Sequence, residues 1–564
     1  MNYIDRYNFW CSANLPEEEK NELADIRNDN DELKSRFNSD LQFGTAGMRG
    51  IMGLGSNRLN RYTVRRAAQG MAAWLCETDL PQKAAIGYDS RHNSKLFAEV
   101  CAVAFAEKGI VTYLYDRLAP TPMLSYAVRE LGCGCGIVIS ASHNAGEYNG
   151  VKCYGPDGCQ MTDEPAAIVT EEISKIAYFV PETKSFDAYL QEGMIAYIQQ
   201  ELWESYYETV LAEAVAPENI RKANLNIVYT PLCGTGNEPV RTVLDRLGTN
   251  ITIVSCQENP DGDFKTCEYP NPETDAALRE SYKVADNNPC DVILGTDPDC
   301  DRVAIAVPDG DGYRKLSGNE LGCLLLEYVL RARTKQDSIP EGAIAVRSIV
   351  SSPLADKIAS KYGVEMASVL TGFKYIGGAI LELEEAGHPE RFVFGFEESC
   401  GYLKGTYARD KDAVVASMLV CEVAAYYKLQ GKSILDALNE IYDTYGYYLA
   451  YVQSVELTGA DAMEKAAKMM SDLRGNIPAV IGGATVTCVR DYRSSIEKDV
   501  VSGAEKEILL PKSNVLEFIL GEKGSVIVRP SGTEPKVKFY YTAVSDTKEN
   551  SKLLLDAMVA QMSV

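Results

Sequence analysis

Short runs of apolar and β-branched residues, each followed by a longer stretch of helical spacing, recur along this chain and restrict it to α/β architectures. Ala84-Ala85-Ile86-Gly87-Tyr88 precedes the helix-spaced Ser94 to Glu107, and Ile110 to Tyr115 precedes Thr121 to Leu131. The cycle restarts at Leu225-Asn226-Ile227-Val228-Tyr229 and again at Gly342-Ala343-Ile344-Ala345-Val346. About three related α/β units with mixed or parallel sheets are therefore expected. From about Gly446 the pattern changes to strands around one helix, Met463 to Leu473, and ends in a helix from Lys548, which predicts a smaller α+β domain. A polar helical stretch ends near Asn224, and the turn-rich Pro308-Asp309-Gly310-Asp311-Gly312 ends near Ser317. These boundaries divide the chain into 1–223, 224–316, 317–445 and 446–564. A chain of 564 residues needs several cores in any case.

The net charge of -24 sets a long-range field against nucleic acid and anionic membrane surfaces, so neither is an expected partner. A small anionic substrate must be met by a local basic pocket. The first residues carry Asp5, Arg6 and Asn8 and lack a signal-peptide apolar core. Ala413 to Tyr427, the longest apolar stretch, is interrupted by Glu422 and reads as a buried helix rather than a membrane span. Sixteen scattered cysteines, none in a C-x-x-C pair, fit a reducing cytoplasm. Cys133 and Cys135 read as small buried hydrophobes, and three histidines are too few for a histidine-rich zinc site.

Four segments carry chemistry. In Ile137-Val-Ile-Ser-Ala-Ser-His-Asn-Ala-Gly-Glu-Tyr-Asn-Gly150 an apolar strand delivers Ser142 into a polar loop beside His143, with Lys152 close behind. A hydroxyl nucleophile needs that exposure, a proton acceptor and positive charge for phosphate. Standing alone, the segment reads sooner as a serine-rich turn leaving a buried strand. In Asp291 to Ala306 two apolar strands bracket Asp297, Asp299 and Asp301, whose spacing of two in an extended loop lets three carboxylates converge on a hard cation such as Mg²⁺. Arg302 at the sixth position and Pro308 at the twelfth exclude an EF-hand. Asp297 as a phosphoryl acceptor stays open. In Phe394-Gly-Phe-Glu-Glu-Ser-Cys-Gly401, a strand-like run ends in carboxylates and a hydroxyl suited to sugar hydroxyls. In Val526 to Phe539, Arg529 can fork onto a phosphate while Ser531, Gly532 and Thr533 offer hydroxyls and backbone N–H groups. Two supporting loops place Arg49 among glycines and put Thr371, Gly372 and Lys374 after the strand-like Ala367 to Leu370.

In this order, the Ser-Ala-Ser-His-Asn, Asp-Pro-Asp-Cys-Asp-Arg, Gly-Phe-Glu-Glu-Ser and Arg-Pro-Ser-Gly-Thr segments resemble the α-D-phosphohexomutase superfamily, the phosphoglucomutases and phosphomannomutases. The resemblance runs from Phe43 to Phe539. It implies a four-domain, heart-shaped α/β enzyme with a central cleft. It further implies an intramolecular phosphotransferase that interconverts glucose 1-phosphate and glucose 6-phosphate. Ser142 would be phosphorylated, with Mg²⁺ held by a phosphoserine oxygen, Asp297, Asp299 and Asp301, and glucose 1,6-bisphosphate would be the intermediate. Arg302 matches an arginine beside the metal. Glu397 and Ser399 match residues that grip the sugar, helped by Thr371, Gly372 and Lys374, and Arg529, Ser531, Gly532 and Thr533 match those on the phosphate not being moved. Arg49, His143, Lys152 and Lys411 match basic positions where protons move. Glu398 beside Glu397 is similar to the glucomutase form, whereas Glu534-Pro535-Lys536 looks more like the phosphopentomutase and glucose-1,6-bisphosphate synthase branch; phosphomannomutase is a further alternative. A cytoplasmic monomer or homodimer is expected. A sugar-phosphate-binding regulator without catalysis and a phosphatase using Asp297 are the rivals from other classes.

Overall fold

A computed structural model describes residues 1–44, 47–457, 462–531 and 536–562. The chain forms two units. Unit 1 comprises Met1–Ser317, Ile376–Phe394 and Ser399–Gly431, and unit 2 comprises Gly318–Tyr375, Gly395–Glu398 and Lys432–Val564.

Unit 1 contains two sheets. The first runs Gly47–Ile51, Tyr148–Tyr154, Cys135–Ile139, Lys83–Tyr88, Val111–Leu114, Ile195–Tyr197 in spatial order. Its first two neighbour pairs are antiparallel and the rest parallel, so the sheet is mixed. Cys135–Ile139 is buried at every position, which is why it reads as a continuous apolar run. The second sheet runs Gly312–Lys315, Val303–Asp309, Val292–Thr296, Asn226–Thr230, Asn250–Ile253, again antiparallel at one side and parallel at the other. The ends of Cys135–Ile139 and Val292–Thr296 carry the serine and aspartate segments.

In unit 2, Ile344–Ser348 pairs in parallel with Glu365–Val369. A seven-stranded antiparallel sheet, ordered Tyr447–Glu456, Lys536–Ser545, Gly524–Pro530, Leu516–Ile519, Cys488–Asp491, Ile496–Asp499, Glu505–Glu507, fills the C-terminal part. Helices Ala462–Gly475 and Lys548–Met562 supply Ala466, Met470, Leu555 and Met558 to its core.

Ala413–Lys428 is one buried helix in unit 1, N-capped by the Asp412 carboxylate on the amides of Val414 and Val415. Among the described residues no helix is long and apolar enough to cross a membrane. Glu422, fully buried in this helix, accepts the backbone N–H groups of Val215 (3.0 Å) and Ala216 (2.8 Å). Burial pushes its carboxyl up to about 7, against the two amide bonds that hold it down. A carboxyl raised in the fold adds stability below its unfolded value of 4.5, and that contribution is lost as pH rises through about 7, a change of about 3 kcal/mol. Glu422→Gln is therefore expected to remove this slope, so the melting temperature of the variant relative to the parent rises between pH 5 and pH 8. A calorimetric series showing parallel curves would contradict the assignment.

Candidate active site

Ser142 stands one turn beyond Cys135–Ile139, 3% exposed, with φ +53°, the left-handed region that few side-chain-bearing residues adopt. Its N–H donates to Ser140 Oγ (2.8 Å). Its hydroxyl donates to Asp297 Oδ2 at 2.9 Å and lies 3.1 Å from His143 Nδ1. The turn can lie close against the sheet because Gly150 sits opposite, where a Cβ would meet Ser140 O at 2.6 Å. Burial first, and then the positive charges of Arg302 and Arg49, hold the half-buried His143 imidazole well below its usual range, so the ring is neutral at pH 7. Tyr269 meets it edge-on, with centroids 5.8 Å apart. Arg49, on the edge strand Gly47–Ile51, donates to Asn144 Oδ1 at 2.8 Å.

Asp297, Asp299 and Asp301 converge, but through a tight turn rather than the extended loop expected from the sequence. Cys300 N–H bonds Asp297 O at 2.9 Å, and Cys300 takes φ +54°. A neighbouring loop forces the turn: Thr235 N–H donates to Pro298 O (2.8 Å), and a Cβ on Gly234 would fall 2.4 Å from Pro298 Cα. Among the described residues these three aspartates are the one group of three or more His, Cys, Asp or Glu whose ligand atoms lie within 4.8 Å of one another. All three are buried, and Asp299 Oδ1 and Asp301 Oδ1 receive no hydrogen bond. Orphaned carboxylate oxygens at such depth are costly, and an all-oxygen donor set with two oxygens left over fits a hard divalent cation.

The remaining oxygens are held by cations. Lys152 Nζ donates to Asp299 Oδ2 (2.5 Å) and Asp301 Oδ2 (3.1 Å), and Lys411 Nζ lies 3.2 Å from Asp301 Oδ2 and 2.9 Å from Asp410 Oδ1. Burial raises the Asp301 carboxyl, but Lys152 and Lys411 overcome it and leave the group below its usual range. Burial and Asp301 likewise push Asp299 up, and Lys152 and the Thr121 hydroxyl (2.8 Å) bring it down. Asp297 has no lysine on it; burial and the negative charges of Asp301 and Asp299 push it well up, and the charge and backbone N–H of Arg302 offset them only in part. Arg302, clamped to Glu273 Oε1 at 2.9 Å, is held firmly protonated by Glu273, Asp301 and Asp297 against its own burial.

Unit 1 thus brings together Ser142, His143, Lys152, the three aspartates, Arg302 and Lys411, with Arg49 beside the serine loop. Ser399, half-buried, also belongs to unit 1, where its neighbour Cys400 accepts the Val303 N–H at 3.1 Å. In unit 2, Glu397 Oε1 accepts the Gly372 N–H at 2.6 Å, and Thr371 Oγ1 is buried without a hydrogen bond. Gly372 needs its left-handed φ of +123° for this approach. Lys374 lies in the first turn of helix Phe373–Glu385, with Nζ 5.1 Å from the Tyr375 ring centroid. Arg529 is the last residue but one of the strand Gly524–Pro530, and its charge lowers the Tyr540 hydroxyl that burial and the charges of Glu398 and Glu397 push up more strongly. Ser531 N–H donates to Lys536 O (2.8 Å); Gly532 and Thr533 lie outside the described residues. Sequence reasoning missed Thr121, Glu273, Asp410 and Tyr540. Asp410 stands beside Lys411 in the sequence, whereas Thr121, Glu273 and Tyr540 carry no local signal.

The chain matches phosphoglucomutase/phosphomannomutase α/β/α domains I, II and III over residues 40–179, 204–310 and 317–445, and the C-terminal domain of the same family over 490–558. It is 37% identical to the phosphoglucomutase of Staphylococcus haemolyticus (strain JCSC1435), over 91% of this chain and 92% of that protein. It is 35% identical to the phosphoglucomutase of Staphylococcus aureus (strain bovine RF122 / ET3-1), over 94% of each. The fold is shared with pp63/parafusin (phosphoglucomutase) from Paramecium in its open form, with TM-score 0.67, 14% identity and coverage of 93% of this chain and 94% of that one. A phosphoglucomutase/phosphomannomutase family protein from Burkholderia thailandensis also shares it, with TM-score 0.65, 16% identity and coverage of 93% and 98%. An α/β enzyme of intramolecular phosphoryl transfer is the class that fold and site define. The chain belongs to the phosphoglucomutase/phosphomannomutase family of the α-D-phosphohexomutases.

Proposed function

We propose that this protein interconverts glucose 1-phosphate and glucose 6-phosphate by passing a phosphoryl group to and from Ser142. The observation that carries the reading is the Ser142 hydroxyl 2.9 Å from a buried triad of aspartates backed by Lys152 and Lys411. The relatives named phosphoglucomutase support glucose as the sugar. In the forward step the bond from phosphorus to Ser142 Oγ breaks, a bond to the free sugar hydroxyl forms, and the hydroxyl proton passes to a nearby base. Neutral His143, 3.1 Å from Ser142 Oγ, can hold or return the proton there. Lys152, Lys411, Arg302 and Arg49 are placed to balance the charge on the moving group. Asp297, Asp299 and Asp301 with a phosphoserine oxygen would hold Mg²⁺, which when bound spreads the charge of the phosphate oxygens. Glu397, Ser399, Thr371, Gly372 and Lys374 grip the sugar, and Arg529, Ser531, Gly532 and Thr533 hold the other phosphate. The resulting glucose 1,6-bisphosphate returns its second phosphoryl to Ser142. We read the protein as cytoplasmic, acting as a monomer or homodimer.

A second reading rests on Glu534-Pro535-Lys536, which resembles the phosphopentomutase and bisphosphate synthase branch. Coupled assays with glucose 1-phosphate, ribose 1-phosphate and mannose 1-phosphate separate the two. Glucose 1-phosphate is expected to lead in kcat/KM by about tenfold or more, the size of discrimination a few sugar contacts provide. Faster turnover of ribose 1-phosphate would overturn the glucose reading.

A further inference from the structure

We infer that Arg91 is a positioning residue that holds the Ser142 loop in its transferring geometry, and that Phe264 holds Arg91 in turn. The inference rests on the phosphoryl-transfer reading of Ser142. Asp89-Ser90-Arg91 leaves the strand Lys83–Tyr88, whose parallel neighbour Cys135–Ile139 leads directly to Ser142. The Asp89 N–H still bonds Ile139 O at 3.0 Å, so the two strand ends leave the sheet together. The Arg91 guanidinium then reaches four carbonyls of one loop. Nη2 donates to Ser142 O (2.7 Å) and to Asn144 O, and Nη1 donates to Ala145 O (2.7 Å) and Tyr148 O (2.9 Å).

A planar fork with five donors is the side chain that can do this; an ammonium cannot span the same set. The loop needs the ties, because the left-handed region, in which Ser142 sits, is unfavourable for a residue with a side chain. Arg91 is itself tightly fixed. Its Nε lies 3.3 Å from Asp89 Oδ2, with both side chains fully buried, and Asp89 Oδ1 accepts the Arg91 N–H (3.0 Å) and the Ser94 hydroxyl (2.8 Å). The Phe264 ring, 1% exposed, covers the guanidinium with its centroid 5.0 Å away. The loop bearing Phe264 interlocks with both partners. A Cβ on Gly146 would come 2.8 Å from Gly262 O, and one on Gly262 would come 2.8 Å from the His92 N. Arg91 makes none of these contacts through Ser142 Oγ, so it acts by placing the hydroxyl rather than by touching the reacting atoms.

The test uses the full chain with Arg91→Lys and Phe264→Leu. For Arg91→Lys, kcat per phosphorylated chain is expected to fall about 100-fold, as a misplacement of about 1 Å costs, while KM for glucose 1-phosphate stays within about threefold. Hydrolysis of phosphoserine-142, in which a water oxygen bonds phosphorus, the bond from phosphorus to Ser142 Oγ breaks and a water proton goes to Oγ, is expected to take a share of turnover about tenfold larger than in the parent. Phe264→Leu should show the same split with a kcat loss of about tenfold. Amide exchange of the peptide covering 140–150 should quicken about tenfold in either variant, a readout that needs no sugar. Unchanged kcat per phosphorylated chain, or unchanged exchange of that peptide, would overturn the inference. If Arg91→Lys does not fold, Phe264→Leu decides alone. A parent that fails to turn over glucose 1-phosphate sinks the proposed function, whereas the exchange measurement then still judges Arg91.

Discussion

Ser142→Ala is expected to lower turnover of glucose 1-phosphate by about 10⁴-fold or more, the loss found when a covalent nucleophile is removed. No neighbouring group can take over. Ser140 Oγ is buried and already engaged by the Ser142 N–H. Asp297, the rival acceptor, uses Oδ1 for the N–H groups of Asp301 (3.1 Å) and Arg302 (3.0 Å), and Oδ2 for the Ser142 hydroxyl. The substitution deletes that last hydrogen bond and no packing of consequence, so stability should change by only about 1 kcal/mol. Intact mass separates the two chemistries. The parent incubated with glucose 1,6-bisphosphate should gain one phosphate, stable to hydroxylamine, and the variant none. A variant that still gains phosphate, released by hydroxylamine as an acyl phosphate is, would transfer the role to Asp297.

The Ser142 loop and the aspartate cluster were legible in the sequence as candidates because each gathers its polar groups within a few residues of one strand end. The alternation of strand and helix was legible for the same local reason, and it placed Cys135–Ile139 and Val292–Thr296 correctly as the strands that deliver them. What was not legible depends on distance along the chain. Thr121 bonds Asp299 from 178 positions away, and Arg91 reaches the Ser142 loop from more than fifty. Nothing near either residue signals its partner. The aspartate loop was misjudged as extended because spacing alone does not report a left-handed Cys300 or the Gly234 surface that fits against Pro298. Charge balance was half legible. Three carboxylates between buried strands demanded cations, but that Lys152 and Lys411 already serve Asp299 and Asp301, leaving Asp297 without a lysine, is a matter of geometry.

That asymmetry predicts opposite signs for activity and stability at Asp297. Asp297→Asn should reduce mutase activity by about 10³-fold, because the group facing Ser142 loses its charge and the oxygen set for the cation loses a member. Two unit charges within 4.8 Å of each other repel by about 3.5 kcal/mol or more at an effective dielectric constant near 20, and Asp297 is the member of the triad with no lysine to offset this. The amide keeps an Oδ1 for the N–H groups of Asp301 and Arg302 and turns an N–H toward the Ser142 hydroxyl. In EDTA the variant should therefore be as stable as the parent or more so, by about 1–2 kcal/mol. The sign with pH follows from the raised carboxyl: its stabilising contribution is complete below the unfolded value of 3.8 and is lost as pH rises through the higher folded value. The advantage of the variant in EDTA should thus widen from acid toward neutral pH. Added Mg²⁺ should raise the melting temperature of the parent by mass action and move that of the variant far less. Equal Mg²⁺ shifts in the two proteins, or variant activity within about tenfold of the parent at saturating Mg²⁺, would remove Asp297 from the metal site and leave the cation to Asp299 and Asp301 alone.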